Sequence, residues 1–312
     1  MALHKLLDIE IGVPNPALLD GFFEEIGFHG GAGRWGPSEE PDQIRVVEAP
    51  YRQLRRMRVG CEEEADLAAA ARRLDGLGVD YQLGGGRLEA VDPINAWTIV
   101  VEPAAPASDV SPQPRRLVNG PGERPRLDVR ADALLEDRPR PPRRLYHVMI
   151  CTPDPHKTTQ FLTEGMGLRV SDTANDGAIA FLRCSPDHHN VAIAPSPVPY
   201  LNHYALEFDD FDAVMRAASV YVRAHGDEAH IAGPGRHPIG ANIFRYMLDP
   251  TGTICEFSTD MDYIENDDAW VVRNDWDLGE AWSPWGEKEM PEVFLQPADM
   301  PEIAAGWERA HA

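Results

Sequence analysis

The sequence predicts an α+β protein of two successive domains, each copy of which reads as a βαβββ unit. Length is the first observation behind this: 312 residues with 43% hydrophobic content exceed one ordinary domain and suffice for two packed cores. The second is an internal duplication. Leu7 to Pro16 aligns with Tyr146 to Pro155 when the Pro14 and Pro153 turns are matched, and later segments repeat in the same order. The third is the Pro- and Arg-rich stretch between the copies, from Pro103 to Arg144, where repeated loss of the backbone donor forbids one regular element.

Taken in order, the first copy opens on a strand through Leu7–Val13. A helix follows over Leu18–Phe28, with apolar residues at helical spacing. Glu62–Leu77 reads as an Ala-rich helix with an acidic start, and Val91–Val100 as a turn and strand. The connection is expected to hold a strand around Leu127–Val129 and a short helix around Ala131–Leu135. In the second copy Leu145–Ile150 is a β-branched and aromatic run closed by Thr152-Pro153-Asp154-Pro155, followed by a weaker helical pattern over Thr159–Leu168. Asn202–Phe208 leaves a Pro-rich loop as a strand and ends in Asp209-Asp210, which would start a helix running to His225. Thr253–Ser258 follows the turn Asp249-Pro250-Thr251-Gly252. The division is then 1–103, a connection at 104–142, a second domain at 143–260, and an acidic tail at 261–312. Trp270, Trp276, Trp282 and Trp285 of that tail are expected to pack it onto the domains, because aromatic side chains bury large areas, the alternative being a lid or subunit contact near the mouth of a site.

Three residues of the second copy carry chemistry. His147, His203 and Glu256 each fall at an inward position of a strand, with Glu256 on the face of Ile254 and opposite Cys255. A lone strand histidine is more often a satisfied core or surface residue than a ligand, and a lone Glu could pair with an Arg. Together they differ: a buried carboxylate needs a cation or hydrogen bonds, and two imidazoles with one carboxylate on one face suit Fe(II) in oxygen chemistry, or Mn(II) with the same ligands. In the first copy these positions fall at Asp8, near Met57 and at Ile99, so the ligand set belongs to the second half alone.

Composition excludes other classes. A formal net charge of −22 argues against nucleic acid or an anionic membrane as partner. Four dispersed cysteines, Cys61, Cys151, Cys184 and Cys255, lack zinc or redox spacing and read as reduced buried thiols. No apolar run has transmembrane or signal-peptide length, so the expected setting is cytoplasmic, with small molecules and protein subunits as partners.

The pattern is denser still. His188-His189 precedes His203, and Gly235-Arg236-His237 precedes Tyr246, which stands ten positions before Glu256. Over about residues 143 to 260 the chain resembles the type I extradiol catechol dioxygenases of the vicinal oxygen chelate (glyoxalase/bleomycin resistance) superfamily. The resemblance implies curved, partly closed mixed sheets with two βαβββ units per domain and a metal-free first domain. It implies His147, His203 and Glu256 as iron ligands and His189 as acid/base, with His188 the less favoured neighbour. It also implies His237 and Tyr246 as catalytic groups, and Asn242 beside them and His189 as a substrate-binding residue. The activity would be O₂-dependent cleavage of a catechol next to its two hydroxyls, giving a hydroxymuconic semialdehyde-type product, in a homo-oligomer. Asn202 departs from the family, where a His often precedes the second ligand. A glyoxalase-like isomerase or epimerase and a non-catalytic small-molecule binder share the fold; Tyr246 and His237 weigh against the first, the retained ligand set against the second.

Overall fold

The computed structural model describes residues 3–311 apart from 39, 41, 107–115, 132–139, 278, 280, 281 and 288. The first half runs β1 (Leu3–Val13), α1 (Leu18–Glu25), β2 (His29–Gly31), β3 (Arg34–Gly36), β4 (Ile44–Glu48), then β5 (Gln53–Cys61), α2 (Glu64–Leu77), β6 (Tyr81–Gly84), β7 (Arg87–Val91) and β8 (Thr98–Pro103). The second runs β9 (Arg144–Thr152), α3 (Pro155–Gln160), β10 (Arg169–Ala174), β11 (Ile179–Arg183), β12 (Val191–Pro195), then β13 (Tyr200–Glu207), α4 (Phe211–His225), β14 (His230–Arg236), β15 (Ile243–Leu248) and β16 (Ile254–Thr259). Both are βαβββ written twice. The tail adds β17 (Arg273–Trp276), α5 (Glu292–Leu295) and α6 (Met300–His311).

The duplication extends to strand order. The first sheet reads β2-β3-β4-β1-β5-β8-β7-β6, and the second, taken in the same direction, β10-β11-β12-β9-β13-β16-β15-β14, with β17 added beside β10. In each, an antiparallel central pair is flanked by parallel neighbours, so the sheets are mixed. The helices pack into one continuous core that draws on both sheets. Phe22 of α1 meets Tyr221 of α4 edge to face at 5.4 Å. On α2 the buried residues Leu67, Ala70, Ala71 and Leu74 follow the i, i+3, i+4, i+7 rule. That helix is closed at its start by reciprocal Glu63 and Asp66 bonds, and at its end by Gly78 in the left-handed region (φ 67°).

Two readings of the sequence need correction, and a third falls mostly outside the described residues. Leu127–Val129 is not a strand: Leu127 and Asp128 form bends, with Asp128 at a left-handed φ of 59° far from the extended region. The helix read over Thr159–Leu168 begins earlier, at Pro155, with Asp154 capping the Lys157 N–H at 3.0 Å; from Phe161 to Met166 it widens into a π-helix. Arg73 of α2 donates to the Gly165 and Met166 carbonyls at 3.1 and 3.3 Å there, satisfying acceptors of the last turn that have no partner within the helix. Of the helix read at Ala131–Leu135, residues 132–135 lie outside the described residues.

The tail returns to the first half. Arg52 donates to the Asp299 carboxylate at 2.8 and 3.1 Å and to the Leu201 carbonyl, and Trp307 of α6 meets Tyr51 edge to face at 6.4 Å. Cys61, Cys151, Cys184 and Cys255 are all buried and form no disulfide. Among the described residues no helix is long and apolar enough to cross a membrane.

Candidate metal centre

Strand β13 lies between β9 and β16, and its register assembles the site. Ala205 stands opposite both His147 and Glu256, while His203, two residues away and on the same face, is paired with Met149 and Ile254. The small Ala205 side chain lets its two larger neighbours lean toward His203. The result is a triangle: His147 Nε2 lies 3.2 Å from His203 Nε2 and 3.0 Å from Glu256 Oε2, and His203 Nε2 lies 3.3 Å from Glu256 Oε2. None of the three side chains is more than 3% exposed.

These separations fit a metal. Ligand bonds of about 2.1 Å at right angles put neighbouring donor atoms about 3 Å apart. The donor chemistry agrees. His203 Nδ1 donates to Asn202 Oδ1 at 2.9 Å, so in a neutral ring Nε2 holds a lone pair aimed at another imidazole and at a carboxylate. Asn242 Nδ2 donates to Glu256 Oε1 at 2.9 Å and to Ser258 Oγ at 3.0 Å, leaving Oε2 for the centre. Burial pushes His203 down to about 3; burial would raise Glu256, but the surrounding imidazoles of His147, His203 and His237 hold it at about 2. Both directions keep His203 and Glu256 in metal-binding form, neutral imidazole and ionised carboxylate.

Two expected results follow. Asn202→Ala and Asn242→Ala should each weaken metal affinity about 10- to 100-fold, the usual cost of removing a group that orients a ligand; titration of the metal-free protein with Fe(II) or Mn(II) measures it, and unchanged affinity in both would contradict the arrangement. The second concerns pH. A histidine at about 3 when folded and 6.5 when unfolded gives a chain that binds more protons unfolded than folded between those values. The His203 contribution is therefore complete above about 6.5 and declines as pH falls. His189 and His237, also lowered by burial, act in the same direction. Melting curves of the metal-free protein should show Tm falling between about pH 7 and pH 5; a flat profile would refute this.

The triangle faces a cavity of about 50 Å³ whose lining includes His189, His237, Asn242 and Tyr246. His189 is brought to it, its ring 4.4 Å from that of His147, while His188 turns away toward Asp172 and Trp270. His237 is placed by two bonds: Nδ1 donates to the Trp282 carbonyl at 2.8 Å, and Nε2 accepts the Tyr246 hydroxyl at 2.9 Å. The remaining wall is apolar and includes Met149, Phe181 and Ile239 with Trp282, Met290 and Phe294 of the tail. Sequence reasoning favoured packing for the tail tryptophans over a lid or subunit contact near the site mouth. Trp282 does pack, stacked on Tyr246 at 5.8 Å, yet it also lines the cavity; Trp285 remains 40% exposed. Phe294, which sits 5.7 Å from the His203 ring, had no sequence signal beyond being one apolar residue in an acidic stretch.

In the first sheet Asp8 lies opposite Arg58 and ion-pairs with it, and Arg58 Nη1 also meets Glu102 Oε1 at 3.0 Å. A guanidinium there supplies the positive charge beside the carboxylates.

Fold and site together give paired βαβββ sheets, the second of which carries a candidate metal centre. Residues 144–257 match the Glyoxalase/Bleomycin resistance protein/Dioxygenase superfamily. The chain is 29% identical over 311 residues to "Metapyrocatechase 2" of Cupriavidus necator, covering 95% of this chain and 92% of that protein. Among solved structures, homoprotocatechuate 2,3-dioxygenase from Arthrobacter globiformis aligns with a TM-score of 0.71 at 18% identity, covering 95% of this chain and 91% of that one. A Mn(II)-bound glyoxalase from Novosphingobium aromaticivorans aligns with a TM-score of 0.69 at 20% identity over 94% of each chain. At such identities these two likenesses establish the fold.

Proposed function

We propose that the protein is an extradiol dioxygenase that opens a catechol ring beside its two hydroxyls with O₂. One observation carries the reading: an enclosed His147–His203–Glu256 triangle whose adjoining cavity is lined by two further imidazoles and a phenol, in a chain alignable almost end to end with a metapyrocatechase. His147, His203 and Glu256 would hold Fe(II) or Mn(II), which when bound brings catecholate and O₂ together and passes electron density between them.

The chain's own groups handle position and protons. Burial and the neighbouring histidines hold His189 well below its ordinary value, so at neutral pH it is a free base able to take a catechol proton and return it to oxygen as the ring opens. Burial likewise keeps His237 neutral; with Nδ1 donating to Trp282, its Nε2 accepts the Tyr246 proton, and Tyr246 oxygen is left to accept from a substrate hydroxyl. His237 therefore acts through Tyr246. Asn242 keeps Oδ1 without a hydrogen-bond partner beside these groups, an acceptor for substrate. Trp282, Phe294 and Phe181 exclude water and offer ring faces to the substrate. Among the described residues no Lys or Arg lines the cavity, which favours catechols with uncharged substituents.

The test is anaerobic reconstitution with Fe(II) or Mn(II), then catechol, 3-methylcatechol, 2,3-dihydroxybiphenyl and 3,4-dihydroxyphenylacetate in air, following oxygen uptake and yellow product together. Coupled signals are expected with the uncharged substrates and weak ones with the carboxylate. Metal binding without oxygen uptake from any catechol would overturn the reading in favour of an isomerase.

A further inference from the structure

Behind His189 stands an imidazole that the chemistry above does not use. His188 is fully buried; its Nδ1 lies 3.1 Å from Nδ1 of His189, and its Nε2 3.4 Å from Oδ2 of Asp172. Asp172 is itself held by the tail: the Arg273 N–H donates to Oδ1 at 2.8 Å and Trp276 Nε1 to Oδ2 at 3.1 Å. Both donors belong to β17, the strand with no counterpart in the first sheet. The Trp270 ring meets His188 edge to face at 5.4 Å. On the remaining side Gly240, at a φ of 79°, leaves room that a Cβ would close, since it would come within 2.9 Å of His188 Nδ1.

Hydrogen-bond bookkeeping along this row has one solution for neutral rings. An ionised carboxylate only accepts, so His188 Nε2 carries its proton and His188 Nδ1 is a lone pair. Two lone pairs do not face each other at 3.1 Å, so His189 Nδ1 carries a proton. A neutral imidazole has one N–H, which leaves His189 Nε2 bare.

We propose that Asp172 and His188 are positioning residues that hold the His189 proton on Nδ1 and so present an unprotonated Nε2 to the substrate. The kinetic consequence rests on the dioxygenase reading; the tautomer does not.

Two readouts test it in the full chain. Long-range ¹H–¹⁵N correlation on histidine-labelled, Zn(II)-loaded protein reads the tautomer: Nδ1–H is expected for His189 in the wild type, moving to Nε2–H in Asp172→Asn and His188→Leu. In Fe(II)-loaded enzyme the same variants should lose about 10- to 100-fold in kcat, with metal content and KM changed less than about twofold. His188→Asn, whose side-chain oxygen can stand near the lost Nδ1, should recover most of the kcat that His188→Leu loses. Nε2–H in the wild type, an unchanged tautomer in both variants, or equal loss in His188→Asn and His188→Leu would overturn the proposal. If His188→Leu does not fold, Asp172→Asn decides alone. If the wild type cleaves no catechol, the dioxygenase reading falls while the tautomer still decides this one.

Discussion

Glu256→Gln is expected to lose bound metal and on the order of 10³-fold or more in kcat/KM, since the charge stabilisation a bound metal supplies is worth several kcal/mol. The expectation follows from the geometry. Glu256 supplies the one anionic donor of the triangle, and Asn242 already occupies its other oxygen. An amide keeps the shape but removes the charge, and its NH₂ can turn toward imidazole lone pairs. Metal content after dialysis, measured beside turnover, checks the result. A variant that keeps a full equivalent of metal and wild-type turnover would remove Glu256 from the ligand set. His203→Ala should behave alike, with the Asn202 oxygen losing its donor.

His189→Asn is the second large effect, with a different signature. Here kcat should fall about 10²- to 10⁴-fold, the range spanned by general acid–base catalysis, while metal content and catechol KM change little. His189 lies 3% exposed against the His147 ring and in hydrogen-bond reach of no ligand nitrogen, so its loss leaves the triangle intact. Metal titration and steady-state kinetics on one preparation separate the two cases. Equal loss of metal and of turnover would make His189 a packing residue of the centre.

How much of this was legible in the sequence depends on how local each cause is. The triangle was readable because histidine and glutamate are rare at inward strand positions, and period-2 alternation alone puts Glu256 opposite Cys255. The duplication was readable because the Pro14 and Pro153 turns survive as markers. Whether His188 or His189 meets the cavity was not, since adjacent residues differ only by a half-turn of backbone that Gly240 and β17 settle from elsewhere in the fold. Asn202 stood out in the sequence only as a departure from the family pattern, whereas in the fold its oxygen accepts from His203 Nδ1, a contact that depends on that oxygen and not on resemblance to a histidine. The wall formed by Trp282 and Phe294 depends on where a mostly irregular tail comes to rest, which no periodicity encodes. Asp128 defeated the strand read at Leu127–Val129 through a single left-handed φ.

Arg52 ties the first half to the wall of the cavity in the second. By gripping Asp299 it ties down α6 and, just ahead of it, the segment carrying Phe294, which shields the His203 ring from solvent. Genetic damage to turnover need not map near the metal. A lesion at Arg52 or Tyr51 would behave as a leak, letting water and stray oxidants reach an otherwise intact centre, and survey by ligand residues alone would classify such an allele as silent.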